Sequence, residues 1–251
     1  MNTNAIIRIG RFLYGFSMVA VGIHQIILKD FRPEILAPFP AWAHTHAIFP
    51  VLTGIVLIVA GILIAGFSAK NICLYLGFLF LTLIITSQLP YIFFIGPGKA
   101  SRLVTWFGAG EELAYSGGAF VMAGSFSGKP ISVGRIFFSL LIIMFGCSHF
   151  VFPVDVSAMV PKFLGAPMFW TYFVGAALIA SGIAIIFKIW IKLTASLLAA
   201  MLFLFFLFFH LPDAIQNPSV GYGNEIVRAI ICLQFFATAM VIAVTNGPEI
   251  R

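Results

Sequence analysis

The sequence is poor in charge. Only 9% of its 251 residues are charged and 61% are hydrophobic, whereas a typical soluble domain carries about 25% charged residues. A soluble fold of this length has too little polar surface to cover such an apolar chain, so the natural solvent is the lipid bilayer. The net charge of +6 forms no basic stripe, because lysines and arginines stand singly at the edges of apolar runs. The composition therefore favours an integral membrane protein and does not favour nucleic-acid binding.

The sequence also lacks paired cysteines and the short motifs of common enzymes. Cys73, Cys147 and Cys232 each lie in an apolar segment, and none belongs to a CxxC pair. We expect them to be small buried hydrophobes rather than a disulfide framework. Glycine-rich phosphate loops and nucleophile elbows are missing from the sequence. Whether the protein is an enzyme is left open.

Eight apolar runs have the length of a membrane-spanning helix, which needs about 20 mostly apolar residues. Arg8 and Arg11 precede the first run as in a signal peptide, but no convincing small-x-small cleavage site follows before His24, which indicates a retained helix. The predicted spans are 6–28, 47–68, 71–95, 111–126, 131–153, 167–187, 189–211 and 225–245.

Short and long connections alternate between these spans, so all long loops are predicted on one face of the membrane. We call this the loop face, and the opposite one, with the termini and the short turns, the terminal face. The terminal face carries more lysine and arginine, which predicts cytoplasmic termini in a bacterial inner (cell) membrane. The short turns lie near Lys70, Lys129 and Lys188, and the long loops are 29–46, 96–110, 154–166 and 212–224.

Matching residues in a common order indicate an internal duplication. Each unit would hold four spans, an even number, so both units enter the membrane in the same sense. We therefore predict an all-α integral membrane domain over 1–251 with eight transmembrane helices. Its two parallel four-helix repeats, about 1–128 and 129–251, are related by a pseudo-two-fold axis. The matched positions are Gly10-Arg11 and Gly134-Arg135, Gly22 and Gly146, His24 and His149, Pro38 and Pro161, Leu89-Pro90 and Leu211-Pro212 (each read as a helix end), and Glu112 and Glu225.

Two pairs of glycines share a spacing that puts them on one helix face. Gly54 and Gly61 are seven residues apart, and so are Gly175 and Gly182. Small residues let membrane helices approach closely, so we predict that these four glycines are packing surfaces.

Six polar side chains near the loop-face ends of the spans form the candidate ligand-binding site. Polar groups inside a membrane are costly and often functional. Histidine exchanges a proton near neutral pH and a carboxylate can orient it, so such a layer suits a polar head group, a quinone ring, a metal or a haem. The alternative is that these groups cap helix ends and pair with each other. One unit offers His24, Gln88 and Glu112, and the other offers His149, His210 and Glu225.

Two further patterns are weaker. His44 and His46 have the spacing of two metal ligands, but the sequence places no third ligand, so we predict no metal site. Glu225 and Arg228 are three residues apart on a predicted helix, and this spacing lets their side chains form an ion pair.

Several short stretches resemble one family. They are Gly134-Arg135, Gly146-x-x-His149-Phe150, Val160-Pro161, 169–176, His210-Leu211-Pro212 and, in the fourth span, 112–119. Together they resemble the DoxX-like membrane proteins, whose usual member is a single four-helix unit, and two such units would cover nearly the whole chain. The resemblance implies a four-helix membrane bundle. Some relatives are subunits of an archaeal thiosulfate:quinone oxidoreductase, and others are linked to oxidative-stress complexes.

Three functions follow as hypotheses. The first is a non-enzymatic subunit, scaffold or assembly partner of a membrane complex, which the long aromatic loops favour. The second is a membrane subunit of a quinone-linked oxidoreductase, with a quinone or haem in an outward-facing His/Glu site. The third is a transporter of a small molecule or lipid, which is disfavoured because the middle of every span is nearly free of charge. The predicted partners are the lipid bilayer and a protein of a membrane complex.

Overall fold

The computed structural model describes residues 2–32, 43, 45–95 and 99–245, and this part of the chain is helical, without β-strands. Short helices such as Pro153–Ala158 lie in the connections on the loop face. The long helices are α1 (Thr3–Leu28), α2 (Ile48–Gly66), α3 (Lys70–Phe94), α4 (Phe107–Ser127), α5 (Ser132–Val151), α6 (Pro167–Phe187), α7 (Ile191–Gln216) and α8 (Asn224–Thr245).

Seven of these helices are long and apolar enough to cross a membrane, and α4 is the exception. Its 21 residues give a length of about 31 Å at 1.5 Å per residue, which matches a hydrocarbon core of about 30 Å. Its composition is less apolar, and 14 of its residues are buried inside the protein. A helix that is enclosed by other helices needs no lipid-facing apolar surface. The described part of the chain is therefore an all-helical membrane-type fold with seven candidate membrane-spanning helices.

The long helices form a closed ring, and two helices on opposite sides of the ring contact each other at its centre. Each helix contacts the next along the chain, α8 returns to contact α1, and α4 contacts α8 across the middle. The contact of α4 with α8 divides the ring into two smaller rings. The first ring is enclosed by α1, α2, α3, α4 and α8, and the second by α4, α5, α6, α7 and α8.

Glycines allow the closest helix contacts. A Cβ atom built on Gly22 of α1 would lie 2.5 Å from the carbonyl oxygen of Gly54 in α2. In the same way, a Cβ on Gly146 of α5 would lie 2.8 Å from the carbonyl oxygen of Gly175 in α6. The helix backbones therefore touch at both crossings, as small residues permit in membranes.

Aromatic rings fill the central contact. Tyr115 of α4 stacks on Phe235 of α8 with ring centroids 5.6 Å apart, and Phe138 of α5 meets Phe235 edge to face at 5.8 Å. These separations lie in the favourable range for aromatic pairs. The centre of the molecule is thus packed with side chains.

The expectation that Leu89-Pro90 and Leu211-Pro212 end their helices is wrong. Both α3 and α7 continue beyond these prolines, and π-helical turns precede them at Ile84–Gln88 and Phe206–His210. A proline ring clashes with the carbonyl four residues earlier in a regular α-helix. Here that residue, Thr86 or Phe208, lies inside the wider π turn, which accommodates the proline.

Candidate functional site

All six sequence-predicted site residues lie toward the loop-face ends of the long helices. His24 is four residues before the end of α1, and His149 is two before the end of α5. Gln88 and His210 are the last residues of the two π-helical turns. Glu112 is in the second turn of α4, and Glu225 is the second residue of α8. Their surroundings differ between the two rings.

In the first ring, His24 packs against the loop that leads into α8. Gly223 has a left-handed backbone with φ of 82°, and a Cβ there would lie 2.6 Å from Nε2 of His24. Glycine is therefore required for its conformation and for the space that the imidazole occupies. Nδ1 of His24 is buried and finds no hydrogen-bond partner among the residues that the structure describes.

Arg32 brings a second basic side chain to the same place. It is only 2% exposed, and its Nη1 donates to Oδ1 of Asn224 at 3.5 Å. It is also close enough to His24 for the two groups to interact electrostatically. Arg32 belongs to the predicted loop 29–46, and no local pattern in the sequence shows that it contacts the start of α8.

Gln25, which is not among the six predicted site residues, is next to His24 in the chain and fully buried. Its Nε2 donates to the carbonyl oxygen of Pro50 at 2.7 Å and to Oγ1 of Thr53, both in α2. Its Oε1 is buried without a partner in the described part of the chain. The sequence did contain a signal for Gln25, because an amide next to a histidine is unusual in an otherwise apolar run.

Gln88 and Glu112 lie at the contact of α3 with α4. Gln88 is 4% exposed and Glu112 is 1% exposed. A Cβ on Gly108 would lie 3.0 Å from Nε2 of Gln88, and Gly108 and Glu112 are four residues apart, hence on one helix face. One turn deeper, Ser116 of that face donates to the carbonyl oxygen of Gly77 in α3 at 2.8 Å. The two polar residues therefore belong to the same side of the first ring.

A small cavity lies beneath this polar layer. Its volume is about 10 Å³, roughly the space that one water molecule needs. The polar layer of the first ring thus lies over a packed interior. The cavity is lined by Met18, Val21, Leu57, Phe80, Tyr115 and Gln234.

The polar groups of the second ring are engaged with their own helices. Nδ1 of His149 lies 2.7 Å from the carbonyl oxygen of Phe145, one turn earlier. Arg228 donates to Oε1 of Glu225 at 2.6 Å, which confirms the ion pair predicted from their spacing. His210 is half-buried and close to the charges of Arg228 and Asp213.

His24 and His149 differ by one residue in their distance from the glycines at the two helix crossings. Gly22 and Gly146 make matching contacts with Gly54 and Gly175, but His24 follows its glycine by two residues and His149 by three. One residue turns a helix by about 100°. Counted from these glycines, Gln25 corresponds to His149, and His24 corresponds to Ser148.

The pairing of Glu112 with Glu225 is also shifted. Gly134 packs on Gly117 of α4, and Gly10 packs on Ala237 of α8. Cys232 lies five residues before Ala237, and Glu112 lies five residues before Gly117. Cys232, whose Sγ lies 3.2 Å from the carbonyl oxygen of Leu202, therefore stands where the other ring has Glu112. Gln88 and His210 each end a π-helical turn and precede Leu-Pro.

The histidines of the first long loop add no further ligand set. His44 lies outside the described residues, and Nδ1 of His46 lies 3.0 Å from the hydroxyl oxygen of its neighbour Thr45. In the described ranges, no group of three or more histidine, cysteine, aspartate or glutamate side chains is arranged to hold a metal ion.

Comparisons with known proteins give one partial match. Residues 138–245, which begin inside α5 and end with α8, match a family described as a domain of unknown function (DUF8561). The matched stretch covers less than half of the chain. No curated protein and no solved structure matches the chain.

Proposed function

We propose that the chain is an eight-helix, DoxX-like membrane protein made of two parallel four-helix units, about 1–128 and 129–251. The helix contacts support this arrangement, because a contact between two helices recurs between the helices that lie four positions later in the chain. The contact of α1 with α2 corresponds to that of α5 with α6, and α3 with α4 corresponds to α7 with α8. The contacts between units, α4 with α5 and α8 with α1, correspond as well. In this arrangement α4 also crosses the membrane, which brings the number of spans to eight. The pseudo-two-fold axis passes between Tyr115 and Phe235.

The proposed role is that of an accessory subunit of a membrane complex, which binds the ring of a lipid-soluble quinone at the loop-face end of the first ring of helices. The observation that carries this role is the pair of buried polar atoms on adjacent residues, Nδ1 of His24 and Oε1 of Gln25. A buried polar atom without a partner costs about 1–3 kcal/mol, so a ligand that supplies the partner is stabilised there.

The chemistry of the two atoms suits both redox forms of a quinone. The carbonyl oxygens of a quinone accept hydrogen bonds, which the imidazole of His24 can donate. The hydroxyl groups of a quinol donate hydrogen bonds, which Oε1 of Gln25 and the imidazole can accept.

The cysteines of this chain do not form a redox pair. Cys73, Cys147 and Cys232 are free thiols on three different helices, so this chain brings no disulfide couple of its own. The proposed function therefore combines quinone binding with the role of a partner or scaffold in the complex.

Transport between the two units has less support. Tyr115, Phe138 and Phe235 fill the contact along which a molecule would have to pass. A passage there would require these rings to separate.

Quinone binding is tested with the purified full chain in detergent by titration with decylubiquinone, following quenching of tryptophan fluorescence. His24→Ala and Gln25→Leu should each weaken binding about threefold to tenfold, the effect of one hydrogen bond of about 0.5–1.5 kcal/mol. His149→Ala is the matched control, because that imidazole bonds to its own helix. Equal affinity of all variants and the unchanged protein would refute this site.

A further inference from the structure

A cleft of about 680 Å³ opens at the terminal face of the first ring. Its walls come from the start of α1, the turn between α2 and α3, and the end of α4. The volume lies in the range of small-molecule sites, about 300–1,000 Å³. The residues that define its chemistry are Arg8, Arg11, Ser68, Phe12, Phe67 and Phe126.

One of its two arginines is held in a fixed position. Nε of Arg11 donates to Oγ of Ser125 at 2.9 Å, and its Nη2 donates to the carbonyl oxygen of the same residue. The guanidinium also lies over the ring of Phe126, 3.7 Å from its centroid. These contacts use two of its five N–H donors and leave the others for a ligand.

The second arginine lies on the same face of α1. Arg8 precedes Arg11 by three residues, a spacing that places side chains next to each other on a helix, and it is exposed. Two guanidinium groups in one cleft form a site for an anion with several oxygen atoms, such as a phosphate group.

The depth of the arginines corresponds to the edge of the hydrocarbon region. Helix α1 has 26 residues, which gives about 39 Å at 1.5 Å per residue, longer than a hydrocarbon core of about 30 Å. Arg8 and Arg11 lie roughly 8 and 12 Å from its start. Beside them, Phe12 and Phe67 expose 56% and 63% of their surface. Cationic groups therefore adjoin apolar surface where phospholipid phosphates adjoin their acyl chains.

The second ring does not repeat this site. Arg135 follows its glycine as Arg11 follows Gly10, but it is only 8% exposed. Its Nη1 donates to the carbonyl oxygens of Ile185 and Ile186 at the end of α6. This guanidinium caps a helix and is not available to a ligand.

We propose that the cleft binds one anionic phospholipid, with its phosphate between Arg8 and Arg11 and its acyl chains against Phe12 and Phe67. Basic pockets between transmembrane helices bind anionic lipid head groups in this manner. The site is independent of the polar layer on the loop face.

The test is native mass spectrometry of the delipidated full chain in detergent, titrated with phosphatidylglycerol or with phosphatidylcholine. Phosphatidylglycerol should bind more tightly, and Arg8→Gln should weaken its binding about fivefold, as expected for one basic residue near an anionic lipid. Lys192→Gln is the matched control, because Lys192 is an exposed cation on the same face outside the cleft.

A second variant blocks the cleft without changing its charge. Gly66 lines the cleft, and a Cβ built there meets no atom within 4 Å, so Gly66→Leu places its side chain in the open space. It should weaken phosphatidylglycerol binding at least as much as Arg8→Gln.

Three results would overturn the proposal. The first is equal binding of the two lipids, and the second is an equal loss in Lys192→Gln and Arg8→Gln. The third is displacement of the lipid by glycerol phosphate at comparable concentration, which would show an anion site without lipid recognition.

Discussion

Replacing Gly22 with alanine tests whether α1 and α2 meet backbone to backbone. The added Cβ would lie 2.5 Å from the carbonyl oxygen of Gly54 and 2.8 Å from Cγ1 of Ile58. A relaxed contact between carbon and oxygen is about 3.3 Å or longer. The carbonyl belongs to a helix and cannot rotate away, so α2 has to move by most of an ångström.

The change in the free energy of unfolding is the sum of two opposing contributions. Overpacking of this kind costs about 1–3 kcal/mol, and the carbonyl contact favours the upper part of that range. Alanine returns up to about 1 kcal/mol because it is a better helix former than glycine. We expect Gly22→Ala to lower the free energy of unfolding by about 1–2 kcal/mol.

The assay is reversible unfolding in mixed micelles, followed by circular dichroism. Gly66→Ala is the control, because its Cβ meets nothing within 4 Å, and it should not destabilise the protein. Gly146→Ala should behave like Gly22→Ala, since its Cβ would lie 2.6 Å from Cγ1 of Ile179 and 2.8 Å from the carbonyl oxygen of Gly175. If Gly22→Ala were as stable as Gly66→Ala, the close crossing of α1 and α2 would be refuted.

Two further predictions concern the terminal face. Arg135→Leu should lower the free energy of unfolding by about 1.5–3 kcal/mol, because hydrogen bonds from a charged group to the carbonyls of Ile185 and Ile186 are lost; an unchanged unfolding curve in the same assay would count against this cap. Green fluorescent protein fused to either terminus should fluoresce, and alkaline phosphatase fused there should be inactive, since both termini are predicted in the cytoplasm. An active phosphatase fusion would reverse that orientation.

The positions of the long helices were predictable from the sequence because apolar length is a one-dimensional signal. The predicted span 167–187 coincides with α6, and 225–245 is one residue shorter than α8. The predicted span 189–211 ended too early, because the sequence gives no sign of a π-helical turn that lets α7 pass Pro212. The enclosure of α4 by its neighbours is shown only by the packing.

The candidate site was less predictable because it depends on helix rotation. Hydropathy shows that His24 and His149 are near the ends of their helices, but it does not distinguish faces that differ by one residue. Contacts of Gly22 and Gly146 fix that rotation, and by this count Gln25, not His24, corresponds to His149. Arg32 could not be assigned, since its contact with Asn224 at the start of α8 has no local sequence signal.

In the proposed two-unit arrangement, the substitution of Cys232 for Glu112 has a consequence for the evolution of the molecule. A homodimer of single units would have to carry the same residue at both positions, so it would bury either two carboxyl groups or none. A buried carboxyl group is costly, and a symmetric assembly would double that cost. Joining two units in one polypeptide removes this constraint, because each copy can then change by itself. One copy can keep an acidic side chain at the 1% exposed position of Glu112 while the other accepts an apolar thiol.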